Sequence, residues 1–76
     1  MNSDIIEAIK DPKMHALHFD YNGIEYVFSG WWMLEWDSGD KEYDSIEDFI
    51  MDPFFDGKTF IEIAPTIQEY WVDKEP

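Results

Sequence analysis

The chain has 76 residues, with 18 Asp and Glu against five Lys and no Arg, for a formal net charge of -13. It holds no cysteine, which removes disulfide staples, zinc fingers and cysteine nucleophiles and suits a reducing compartment. At 45% hydrophobic and 18% aromatic residues it is too apolar for a disordered acidic tail, so the chain folds as one domain with its acid on a folded surface.

In chain order, Ser3 is placed to cap a short helix with Asp4 and Glu7 near its positive end, Ile5, Ile6 and Ile9 as its buried stripe, and Pro12 as its limit. Leu17, Phe19 and Tyr21 then alternate with Ala16, His18 and Asp20. Asn22-Gly23 follows, the dipeptide that best tolerates the positive φ of a two-residue type I′ turn, and Ile24, Tyr26 and Phe28 alternate after it. The register of such a hairpin sets Tyr21 opposite Ile24, Phe19 opposite Tyr26 and Leu17 opposite Phe28, so these six share the core face. The other face carries Asp20 across from Glu25, a like-charge pair.

Residues 31–36 read as a third strand with Trp32, Leu34 and Trp36 together, ended by a turn at residues 37–40. Whether residues 41–43 form a short fourth strand the pattern leaves open. Ser45 with Asp48 approximates a capping box ahead of Ile46, Phe49 and Ile50, and Pro53 stops that helix. After Phe54, Phe55 and an Asp56-Gly57 turn, Thr59 with Glu62 forms a second capping box. Phe60, Ile63, Ala64, Ile67 and Trp71 then repeat at helical intervals, with Pro65 breaking or kinking the pattern within it. Residues 66–72 are open to a second helical piece or a returning edge strand. The fold class expected is α+β: a small single domain, an antiparallel sheet of three to four strands, and short helices packed on one face.

Catalytic patterns fail one by one. Asp56-Gly57-Lys58-Thr59 ends like a phosphate-binding loop, but position 52 holds Asp52 where that loop needs glycine. His15 and His18, three apart in a strand, point to opposite faces and do not share a metal. Asp37, Asp40, Glu42 and Asp44 lack the acid and glycine order of a calcium loop. No serine sits in a recognisable nucleophile elbow. The expectation is a protein that is not an enzyme and carries no cofactor or metal.

Binding remains. Asp37, Asp40, Glu42, Asp44, Glu47, Asp48 and Asp52 crowd one segment, and the first six of these with Asp20 and Glu25 form the acidic part of the candidate partner-binding set. Duplex DNA carries one charge per about 1.7 Å of its axis, so carboxylates fixed on a folded surface can imitate a row of phosphates and occupy a basic channel. The partner expected is therefore a basic nucleic-acid-binding protein, not nucleic acid itself. Trp31, adjacent to Trp32, is the aromatic candidate for the interface, since tryptophan is enriched among residues that dominate binding energy. The alternative reading is assembly through an aromatic surface at Trp31 or Trp36.

Met1-Asn2 followed by a short acidic helix ending Ile9-Lys10, and then Asn22-Gly23-Ile24-Glu25-Tyr26-Val27-Phe28-Ser29 on a hairpin, resembles small acidic phage anti-CRISPR proteins. The resemblance covers about the first 30 residues and implies an inhibitor of the RNA-guided nuclease of type II systems, seated where that enzyme reads the DNA flanking motif. It implies further that residues 37–48 face the nuclease arginines that hold the motif. The opening residues lack the basic flank and apolar run of a signal peptide. No stretch approaches the roughly 20 apolar residues of a membrane span, so a cytoplasmic location without membrane contact is expected, in the bacterial host if the protein is phage-encoded.

Overall fold

The structure, a computed structural model, describes residues 3–30 and 32–74. Its elements run α1 (Ser3–Lys10), β1 (Met14–Tyr21), β2 (Ile24–Ser29), β3 (Met33–Trp36), β4 (Gly39–Glu42), α2 (Ile46–Met51), α3 (Phe60–Ile63) with a 3-10 turn Ala64–Thr66, and β5 (Tyr70–Lys74). The five strands form one antiparallel sheet in the order β4-β3-β2-β1-β5. The helices pack on one face only, so the α+β class holds, with five strands in place of three or four.

The β1-β2 hairpin has the register that its turn demands: Leu17 opposite Phe28, Phe19 opposite Tyr26, Tyr21 opposite Ile24. Asn22 at φ 56 and Gly23 at φ 80 occupy the left-handed region that a type I′ turn needs. Leu17, Phe19 and Phe28 are sealed and Tyr26 nearly so, but Ile24 is 39% exposed. Ile24 sits at the hairpin tip, beyond the reach of the helices, so the sixth member of the expected core face is solvated.

Both caps form. Asp48 N–H donates to Ser45 Oγ at 3.1 Å to open α2. Thr59 and Glu62 exchange hydrogen bonds at 2.9 and 3.2 Å in a complete capping box that opens α3. The side chain of Ser3, expected as the cap of α1, lies outside the described residues, while Ile5 and Ile9 are sealed in the core.

Aromatic packing joins the two layers. Phe28 stacks on Phe49 of α2 at 4.2 Å between centroids, and Phe60 of α3 meets Phe19 at 5.3 Å and Phe49 at 5.1 Å. Burying each such ring contributes about 1.5–3 kcal/mol, which is how a chain this small builds a core without a staple.

Three expectations need correction. The third strand begins at Met33, because Trp32 adopts φ 61, a left-handed conformation that ends strand geometry. Two backbone bonds hold it there: Trp32 N–H donates to Ser29 O at 3.0 Å and Tyr43 N–H donates to Trp32 O at 2.8 Å. Its ring still lies on the core side, 6.3 Å from Phe28. The turn expected over residues 37–40 narrows to Asp37 and Ser38, because Trp36 pairs with Gly39 to open β4, which takes in residues 41 and 42 of the stretch left open and stops before Tyr43. Trp71 is not part of a helical stripe. After Pro65 the chain leaves its 3-10 turn, Ile67 completes the core, and residues 70–74 return as edge strand β5 with Trp71 54% exposed.

Candidate functional site

Strand alternation sends Leu17, Phe19, Tyr26, Phe28, Leu34, Tyr70 and Val72 toward the helices, and their neighbours to the opposite face, which no element among the described residues covers. Cross-strand pairing makes that open face readable residue by residue. One row runs Asp40, Glu35, Val27, His18, Trp71 from β4 to β5. Beside it, Asp20 pairs with Glu25, Met33 with Glu42, and Ala16 with both Ser29 and Asp73. The face therefore carries Asp20, Glu25, Glu35, Asp40, Glu42 and Asp73 about Ala16, His18, Val27 and Met33, with Trp71 on its edge strand and no lysine among its described strand residues. A small apolar centre inside a charged rim is the anatomy of a protein interface.

Two of its cross-strand pairs, Asp20 with Glu25 and Glu35 with Asp40, set like charges directly opposite each other. Opposed side chains in an antiparallel pair have Cβ atoms about 4.5–5.5 Å apart, close enough for like charges to destabilise the sheet. The sheet holds these pairs because the apolar residues on its other face impose the register.

The sequence-predicted set divides. Asp20, Glu25, Asp40 and Glu42 meet on the open face, joined by Glu35 and Asp73. Asp37 sits in the β3-β4 turn and Asp44 in the connection to α2, both exposed. Glu47 and Asp48 occupy the first turn of α2, in the helical layer, where they complement the positive end of the helix. Residues 37–48 are thus not one surface, since alternation along β4 and entry into α2 turn successive carboxylates in different directions. Trp31 lies outside the described residues. Trp36 is half-buried, 5.0 Å from Phe54, and its Nε1–H donates to Ser38 Oγ at 2.9 Å, so the ring is engaged inside its own domain.

Asp52 is structural. Its Oδ2 accepts from Lys41 Nζ and from Tyr43 Oη, both at 2.7 Å, tying β4 to the end of α2. The Lys41 ammonium first, then the Tyr43 hydroxyl, holds the Asp52 carboxyl below its ordinary range. Burial, reinforced by that hydrogen bond, pushes the Tyr43 phenol up and keeps it a donor. Asp11 is likewise committed, accepting from Lys13 N–H at 2.9 Å and pairing with Lys74 Nζ at 3.1 Å, and its carboxyl is held low by those contacts.

Sequence reasoning missed Glu35, Asp73 and Trp71. Alternation with Leu34 and Trp36 was the signal for Glu35. For the other two the choice between helix and strand after Pro65 was decisive. At the β5 end of the face, His18 and Trp71, directly paired, stack with centroids 3.6 Å apart and planes 6° from parallel. His18 Nε2 lies 3.5 Å from Asp73 Oδ2 but makes no hydrogen bond. The stack walls a concavity of about 460 Å³ whose lining includes Asp20, Glu25 and Glu69.

Among the described residues no group of three or more His, Asp or Glu side chains is disposed to hold a metal ion, and no helix is long and apolar enough to cross a membrane. No family model, curated protein or solved structure matches this chain.

Proposed function

We propose that this protein acts by binding, not catalysis, in the cytoplasm: the open face of its sheet covers the positively charged surface of a nucleic-acid-binding protein and keeps nucleic acid off it. The observation that carries this reading is the gathering of six carboxylates, and no lysine, on the one face of the sheet that its helices leave bare. Neighbouring strands are about 4.8 Å apart and same-face residues along a strand about 6.7 Å apart. At one charge per about 1.7 Å of duplex axis, six carboxylates stand for the phosphates of about 10 Å of DNA. A patch of that size blocks a local phosphate-binding site, not a whole channel. The N-terminal resemblance to phage anti-CRISPR proteins makes the type II RNA-guided nuclease the first partner to test.

Attraction between such surfaces is collective and falls with salt, because charges farther apart than the Debye length, about 10 Å at 0.1 M and about 3 Å at 1 M, cease to act together. The test is capture of partners from bacterial lysate on the immobilised protein at low salt, followed by elution with duplex DNA. Release by DNA of a nucleic-acid-binding protein, and its loss when Glu25, Glu35 and Asp40 are changed to amides, is the expected result. Capture of nothing charge-dependent, or of a partner that DNA does not displace, refutes the proposal.

A further inference from the structure

We propose that the open face receives an arginine side chain of its partner at the β1-β5 edge, stacked flat on the outer face of Trp71. This rests on the reading of that face as a surface for a basic protein and names the chemistry of its anchor.

The geometry starts from the pairing of His18 with Trp71. His18 stands on β1, one strand in from the edge, and its imidazole covers the inner face of the indole at 3.6 Å and 6°. The other face of the indole is turned outward past β5, the last strand of the sheet, and the residue is 54% exposed. An aromatic ring held rigidly on one side and open on the other is a preorganised stacking platform. It costs little side-chain entropy to use, because the imidazole already fixes its rotamer.

Charge selects what stacks there. Residues two apart along a strand point the same way, so Asp73 flanks Trp71 on the open face at a step of about 6.7 Å. Glu69, two residues before Trp71 and exposed, is the next carboxylate, while Asp20 and Glu25, inward of β5 on the His18 side of a concavity of about 460 Å³, contribute only through their field. A group satisfied by both indole and carboxylates must be cationic and flat. Guanidinium is both: it stacks on an aromatic face and donates in a fork to a carboxylate, whereas an ammonium is a compact, strongly hydrated point charge.

A second copy of this chain is a poor occupant of the same edge. It holds no arginine, and two bodies of net charge -13 repel. Charged residues at Asp73 and Lys74 further discourage self-pairing of the edge strand.

The test uses two synthetic probes of equal length and charge, a Gly-Arg repeat peptide and a Gly-Lys repeat peptide, both acetylated and amidated. Each is titrated into the 76-residue chain at low salt while affinity and the Trp71 indole resonances are followed. The Arg peptide is expected to bind about three- to tenfold more tightly and to shift the Trp71 and His18 ring signals. Trp71→Val, which keeps a β-branched strand former and removes the ring, is expected to erase that preference while leaving the weaker Lys-peptide binding nearly unchanged. Equal affinity for the two peptides, or an equal loss for both in Trp71→Val with its fold intact by circular dichroism, overturns the arginine site while the acidic face stands. Binding of neither peptide to the unaltered protein overturns both.

Discussion

Neutralising one member of each like-charge pair, as Glu25→Gln with Glu35→Gln, should make the protein more stable. Glu25 lies opposite Asp20 and Glu35 opposite Asp40, all four exposed. With side chains splayed to about 6 Å in water, each pair repels by about 0.7 kcal/mol, so two pairs give about 1.4 kcal/mol with little salt present. At 0.1 M salt screening over about 10 Å leaves roughly half of this, and at 1 M, over about 3 Å, almost none. A domain of 76 residues has a total stability of about 4–11 kcal/mol, so the gain is a measurable fraction of the whole. Since 1 kcal/mol moves the midpoint of a domain this size by about 4–8 °C, the double variant should melt about 5–10 °C higher at low salt and at nearly the same temperature at 1 M. Thermal unfolding by circular dichroism across a salt series reads both limits. A midpoint that does not rise at low salt, or a rise that persists undiminished at 1 M, refutes the claim that these pairs are electrostatic strain held in place by the core.

The same substitutions should move binding the other way: captured partner should fall several-fold for the double variant at low salt, and a variant more stable yet equally competent would remove the open face from the interface. Asp52→Asn should cost about 1–2 kcal/mol by loosening the tie from α2 to Lys41 and Tyr43, and denaturant midpoints check it. Because the folded Asp52 carboxyl titrates below its unfolded value of about 3.9, its contribution is complete above that value and is lost as pH falls through the folded one. The variant should therefore show a flatter acid limb, and an unchanged limb would deny the tie. Phe49→Ala should cost about 3–5 kcal/mol, since Phe49 is sealed between Phe28, Phe60 and Tyr43, and should leave the domain largely unfolded by near-ultraviolet circular dichroism. Phe49→Leu, which refills most of the volume, should fold.

Local chemistry by itself determined a good deal of this protein. The positive-φ turn at Asn22-Gly23 set the hairpin register, the hydroxyls of Ser45 and Thr59 set helix starts, and Pro53 and Pro65 limited helices, because each of these acts through a few bonds of its own neighbourhood. The abundance of acid was likewise plain in the composition. Its arrangement was not. Residues 37–48 are contiguous in the chain, yet pairing of Glu35 with Asp40 sends part of them to the bare face while the cap at Ser45 carries Glu47 and Asp48 into the helical layer.

Only the tertiary structure decided that residues 70–74 pair with β1, which turns Trp71 from the end of an apparent helical stripe into an exposed ring stacked on His18. It also decided which carboxylates share a surface. Both outcomes depend on partners distant in sequence: a strand takes its place from the edge that awaits it, and a face is bare or covered according to where every helix packs.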